Sequence, residues 1–136
     1  MKNIYLIGYG EWGKKVFNTL KQIKEISNIQ IKKNRLDNSS VDLNNIDWVF
    51  VTTNTNKHFQ IVKKYLKKKY NVFCEKPLTV NFTKSKELFN LAKKNQCKLY
   101  VSDIESIKNI KLKFNKINVI VRSKFSINKP ISLLIA

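Results

Sequence analysis

Apolar positions along the chain follow two rhythms, one of short unbroken runs and one of helical spacing. Residues 3–7 form an apolar run that ends in glycine, and after it Trp12, Val16, Phe17, Leu20 and Ile23 recur every three or four residues. Strand, turn and helix are predicted in that order. Residues 29–31 give a second short strand, and residues 34–46, rich in Asn, Ser and Asp, read as a loop. Trp48–Val51 is a continuous apolar run bounded by Asp47 and by Thr52-Thr53-Asn54. That is the pattern of a strand buried on both faces, and hence a central one. From His58 to Lys68 the positions Phe59, Val62, Tyr65 and Leu66 mark one face of a helix, with the lysines on its solvated face. Residues 72–74 form another strand, which Pro77 stops. Thr83 or Asn81 can then cap a helix carrying Leu88, Phe89, Leu91 and Ala92. Leu99–Val101 returns as a strand, residues 104–114 are weakly helical, and residues 118–125 have the composition of a strand.

Strands that alternate with helices of this length imply right-handed crossovers and an α/β fold, a doubly wound, mostly parallel sheet with helices on both faces. At 136 residues, 43% of them hydrophobic and 26% charged, the chain has the material for one globular core and not for two. The formal charge of +18 would suit a nucleic-acid or acidic-membrane partner. The lysines are scattered through every segment, however, and accompany heavy use of Asn and Ile, as an AT-rich coding bias would produce. No basic stripe with interleaved aromatics emerges. The expectation is loose attraction to polyanions, no specific nucleic-acid partner and no membrane partner. The N-terminus has no long apolar region followed by a small-residue cleavage site, so a cytoplasmic location is expected. Cys74 and Cys97 lack metal-ligand spacing and read as reduced thiols, with no metal site.

All three glycines of the chain, Gly8, Gly10 and Gly13, fall in the string Gly8-Tyr9-Gly10-Glu11-Trp12-Gly13, a G-x-G-x-x-G that follows a predicted strand and opens a predicted helix. In that context the first glycine allows a tight turn, the second lets a pyrophosphate approach the backbone, and the third lets helix and strand pack closely. Helix N-terminal amides then hold the phosphates. The same pattern expects a carboxylate about twenty residues on, to bind the adenosine ribose hydroxyls. Lys32, Lys33 and Asn34 stand there instead. A lysine favours a 2′-phosphate, so NADP is preferred to NAD, unless these are simply two more surface lysines.

Thr52-Thr53-Asn54 ends the third strand, with His58 four residues later, and Cys74-Glu75-Lys76-Pro77-Leu78 ends the fourth. In an open parallel sheet both ends face the crevice where ligand lies, and a lysine there can act on a hydroxyl or carbonyl oxygen. Together these features resemble the N-terminal Rossmann-like domain of the Gfo/Idh/MocA family of NAD(P)-dependent oxidoreductases, over residues 1 to about 101. There a glycine turn is followed by a T-P-N-x-x-H-like segment and an E-K-P motif. Thr53, His58, Glu75, Lys76 and Pro77 stand in those positions. The resemblance implies hydride transfer between a nicotinamide and a sugar- or cyclitol-type hydroxyl or carbonyl carbon. Lys76 is its catalytic candidate, beside the reacting oxygen. Glu75 and Pro77 would shape the nicotinamide-ribose site, Thr52, Thr53 and Asn54 would lie by the cofactor, and His58 would position the cofactor loop. Lys76-Pro77 falls at a turn that allows a cis bond.

Three departures from the family follow. Residues 34–46 replace a helix and a strand, so a smaller sheet is expected. Asn54 replaces the usual proline and Lys69 the usual glycine before the E-K-P strand. The substrate domain is the third: residues 1–103 account for the dinucleotide-binding domain, and residues 104–136 for a linker and the first strand of a truncated second one. The terminal run Ile131 to Ala136 is apolar with nothing to pack on. A truncated frame, a fragment, or a chain completed by another polypeptide or a second copy is expected. On this reading the chain binds a dinucleotide and is incomplete for catalysis alone. A noncatalytic nucleotide-binding scaffold or sensor is the alternative.

Overall fold

Because successive side chains of a strand point to opposite faces, an unbroken apolar run can pack a sheet on both sides at once. In the computed structural model, which describes residues 1–33 and 42–102, this is what the short runs do. The elements are β1 (Lys2–Ile7), α1 (Glu11–Leu20), β2 (Ile26–Lys32), β3 (Trp48–Val51), α2 (Thr55–Lys67), β4 (Asn71–Cys74), α3 (Phe82–Lys94) and β5 (Leu99–Val101), with a 3-10 turn at Leu43–Asn45. The strands are all parallel, in the order β2-β1-β3-β4-β5, and β3 is central with all four side chains buried.

Tyr5, Ile7, Val49, Val51 and Val72 supply one face of the sheet, where α2 and α3 add Val62, Leu66, Leu88 and Ala92. Ile4, Leu6, Trp48 and Phe50 supply the other face, where α1 adds Val16 and Leu20. This is the doubly wound arrangement expected. Each fully buried aliphatic or aromatic side chain contributes about 1.5–3 kcal/mol, so the two clusters rather than helix propensity hold the helices in place. Asp47 fixes where β3 begins: its carboxylate accepts from the Asn3 amide at 2.8 Å and pairs with Lys2 at 3.3 Å.

Several sequence boundaries move. β2 starts three residues early, at Ile26, because backbone pairing with β1 includes Ile26 and the polar Asn28, with Ser27 between them at a shift of register. α1 ends at Leu20, and Ile23 is outside it. Gln22 and Ile23 instead donate to the carbonyls of Thr19 and Leu20 in a tightened last turn, which still brings Ile23 against the α1 cluster. α2 begins at Thr55 rather than at His58, and Asn81, not Thr83, caps α3 by accepting from the Lys84 amide at 3.1 Å. Trp12 and Phe89, which fall on the apolar spacing of α1 and α3, are 46% and 49% exposed. The part of the predicted loop up to residue 41, and the features placed on residues 104–136, lie outside the described residues.

Candidate functional site

In a parallel sheet every strand delivers its following loop to the same edge. Here the first amide after each strand is tied to the neighbouring strand's end: Gly8 to the Lys32 carbonyl (3.1 Å), Thr52 to Ile7 (2.9 Å) and Glu75 to Val51 (2.9 Å). The glycine turn, Thr52-Thr53-Asn54 and Glu75-Lys76-Pro77 therefore leave the sheet side by side.

The three glycines meet three different demands. Gly8 has φ +100°, and a Cβ on it would lie 2.8 Å from the Thr53 nitrogen, so both its conformation and its contact with the next loop exclude a side chain. At Gly13, in the first turn of α1, a Cβ would collide with the Gly8 carbonyl oxygen. Gly10 is different. Its φ of −74° and ψ of −167° suit any residue, and a Cβ would meet nothing within 4 Å. Neither conformation nor packing in the described fold requires a glycine there. No side chain caps α1, so its first-turn N–H groups lack a capping acceptor next to Gly10. An uncapped helix N-terminus of this kind can accommodate an anion. Glu11 lies in the same turn, exposed, and opposes an anion there. Tyr9 packs edge-on against Phe17. The Thr52 hydroxyl donates to the Gly8 carbonyl at 2.5 Å, so this side chain braces the turn.

Next to the turn lies a cleft of about 510 Å³, with Gly8, Lys32, Lys33 and Thr53 on the strand side and α2 as its wall. Asn56, Lys57, Gln60 and Lys64 line that wall. Lys64 is exposed, as expected of the lysines between His58 and Lys68, and so is Lys57; with Gln60 they form one stripe of the helix, at i, i+3 and i+7, that borders the cleft. Tyr9, Gly10, Glu11, Trp12, Asn54, Glu75, Lys76 and Pro77 are not part of its lining.

His58 ties the second and third loops together. The ring is 1% exposed, with Nε2 2.8 Å from the Thr53 carbonyl oxygen and Nδ1 2.9 Å from that of Pro77. The ring thus sets one nitrogen against a carbonyl oxygen of each loop. Beyond it the Lys76-Pro77 bond is cis, Lys76 is exposed, Glu75 half-buried, and Leu78 is anchored in the core. Cys74, just before Glu75, is fully buried, and burial pushes its thiol up to about 12, with the Glu75 charge adding to the effect. It is no nucleophile near neutral pH. Among the described residues no three His, Cys, Asp or Glu groups gather as a metal site, and no helix is long and apolar enough to cross a membrane.

A parallel five-stranded sheet with a glycine turn at the first crossover defines a Rossmann-type nucleotide-binding domain. The sequence model of the Gfo/Idh/MocA oxidoreductase family, described as an NAD-binding Rossmann fold, matches residues 19–103, and the chain belongs to that family. The match starts within α1, after the glycine turn. An uncharacterized oxidoreductase of Schizosaccharomyces pombe is 31% identical over 94 residues, which is 68% of this chain and 25% of that protein. Among solved structures, a probable dehydrogenase from Thermotoga maritima superposes with a TM-score of 0.67 at 27% identity, over 74% of this chain and 35% of the other. Biliverdin reductase from Synechocystis, in complex with biliverdin and NADP+, shares the fold with a TM-score of 0.67 at 20% identity, over 76% of this chain and 38% of the other. The chain thus spans about a quarter to two-fifths of the length of these relatives.

Proposed function

We propose that this chain is the cofactor-binding part of an oxidoreductase that moves a hydride between a nicotinamide and a sugar- or cyclitol-like hydroxyl or carbonyl carbon. The observation that carries the reading is Gly10: neither backbone conformation nor packing calls for a glycine, and the space beside it adjoins the open N-terminus of α1. A pyrophosphate would fill that space and take hydrogen bonds from the first-turn amides. Lys32 and Lys33, where a ribose-binding carboxylate is absent, favour NADP over NAD. Thr53 and Asn54 lie against the cofactor, while Glu75 and Pro77 shape the nicotinamide-ribose end. When bound, the nicotinamide supplies a two-electron hydride donor or acceptor. Lys76 handles the proton: its amine takes the proton of a substrate hydroxyl as the carbonyl forms, or its ammonium returns one in the reverse direction. His58 acts on neither and positions both loops through its two carbonyl bonds. Residues 1–103 form the binding domain.

The test titrates the chain with NADPH and with NADH at low and high salt, following quenching of Trp12 and energy transfer to the reduced nicotinamide. Trp12 is 46% exposed in the turn, and Trp48 is buried at 3%, so the two emissions are separable. Saturable binding that survives high salt and is tighter for NADPH is the expected result. A signal that inorganic polyphosphate displaces equally well, or that salt abolishes, overturns the reading.

A further inference from the structure

The α2 wall of the cleft has no role in the reading above. Four lysines converge on this space from two elements, Lys32 and Lys33 from the end of β2 and Lys57 and Lys64 from α2, and among the described residues no carboxylate lines it. Asn56 and Gln60 lie on the same helix stripe. The Lys64 ammonium rests 5.5 Å from the centre of the Tyr65 ring, which holds it at the wall. Like charges around one concavity raise its potential and favour an anion inside it. The cleft adjoins Gly8 and the end of β2, whereas the pyrophosphate cradle lies at Gly10. A dinucleotide whose pyrophosphate sits at α1 sends its adenosine toward the end of β2. A volume of about 510 Å³ is within the range of small-ligand pockets and is ample for that half of the molecule.

We infer that α2 is a second reader of the cofactor's adenosine phosphate: Lys57 and Lys64 close on a 2′-phosphate from the side opposite Lys32 and Lys33, and make the cleft a site for 2′-phosphorylated adenosine. This rests on the dinucleotide reading above and adds specificity-determining residues to it. Lys57 and Lys64 are both exposed, so replacing them with glutamine leaves the core untouched.

The experiment measures binding of NADP+, NAD+, adenosine 2′,5′-bisphosphate and AMP to the 136-residue chain by calorimetry, for wild type, Lys57→Gln, Lys64→Gln and the control Lys86→Gln on α3. Expected is an NADP+ affinity about fivefold to tenfold weaker in each α2 variant, as for a charge-assisted contact that is partly solvated. NAD+ affinity stays within about twofold, Lys86→Gln matches wild type, and the bisphosphate binds more tightly than AMP in wild type only. If NADP+ and NAD+ bind equally, or the α2 variants weaken both alike, the inference is overturned while the dinucleotide reading stands. If neither dinucleotide binds but the bisphosphate does, in a way that needs Lys57 and Lys64, the dinucleotide reading falls and the phosphate site stands. If nothing binds, both fall.

Discussion

Gly10 and Gly13 lie three residues apart, and packing within the described fold requires a glycine only at Gly13. Gly13→Ala drives a methyl into the Gly8 carbonyl, and the account predicts a loss of about 2–4 kcal/mol in urea unfolding, the range of backbone and overpacking clashes. His58→Phe keeps an aromatic ring and removes both ring nitrogens. The Thr53 and Pro77 carbonyls then lose the ring nitrogens they face, and with about 1–3 kcal/mol for a lost hydrogen-bond partner the variant loses at least about 1 kcal/mol. Unfolding within about 0.5 kcal/mol of wild type would show that water replaces the ring. Cys74 and Cys97 differ in access and in acidity. With the Cys74 thiol raised from 9.0 to about 12 and no exposure, iodoacetamide at pH 8 modifies Cys97 and leaves Cys74 until the chain unfolds. The sign of the linkage follows: the folded state keeps the Cys74 proton where the unfolded chain loses it, so stability is full below pH 9 and falls between pH 9 and about 12. At this scale the glycines were legible in the sequence, because all three fall in one motif. The clasp made by His58 was not, since its partners are backbone carbonyls, which every residue carries. Trp12 shares the spacing of the core positions of α1, but it sits at the second residue of the helix and is half exposed.

Both α2 and α3 end in the same hydrogen-bonded motif, and neither uses glycine for it. After α2 the amides of Lys69 and Tyr70 donate to Leu66 and Tyr65, and after α3 those of Gln96 and Cys97 donate to Lys93 and Ala92. The motif needs a left-handed residue, which is Lys69 (φ 63°) in one case and Gln96 (φ 56°) in the other. A side chain in that conformation costs about 1 kcal/mol relative to glycine. Lys69→Gly and Gln96→Gly are therefore each predicted to stabilise the fold by about 0.5–1 kcal/mol, read as a higher urea midpoint at unchanged slope. An unchanged or lower midpoint would mean that the side chains recover the difference elsewhere. The ends of the elements were the least legible feature, because these caps lack the glycine that usually announces them. The elements themselves were legible wherever the apolar pattern was dense: β3 matches its predicted bounds, and so does β5. β2 was shortened in the reading because an edge strand needs backbone pairing on one side only and tolerates Ser27 and Asn28. The α2 stripe of Lys57, Gln60 and Lys64 was legible as a stripe but not as a wall. Which side of an exposed helix borders a cleft is decided by the neighbouring strand order, and periodicity does not carry that.

The order β2-β1-β3-β4-β5 gathers motifs that are far apart in the chain, with residues 8–13, 52–54 and 75–77 meeting at one edge of the sheet. That convergence was legible, since parallel strands joined by right-handed crossovers bring all their following loops to the same edge. The cleft was not, because it depends on how far α2 stands from the end of β2. The net charge of +18 acts at this scale too, drawing any anion weakly to the surface. A specific site must therefore be distinguished from general attraction, and Gly10 provides the means. Serine suits the position that precedes α1, and its backbone conformation there is ordinary, so Gly10→Ser keeps the charge and the fold while filling the cradle. The most direct measurement compares NADPH binding to wild type and Gly10→Ser by energy transfer from Trp12, with thermal melts run in parallel. The account predicts saturable binding by wild type, an affinity at least about tenfold lower for Gly10→Ser, which is about 1.4 kcal/mol, and melting points within about 2 °C of each other. Equal binding by the two chains, or no saturable binding by wild type, would contradict it.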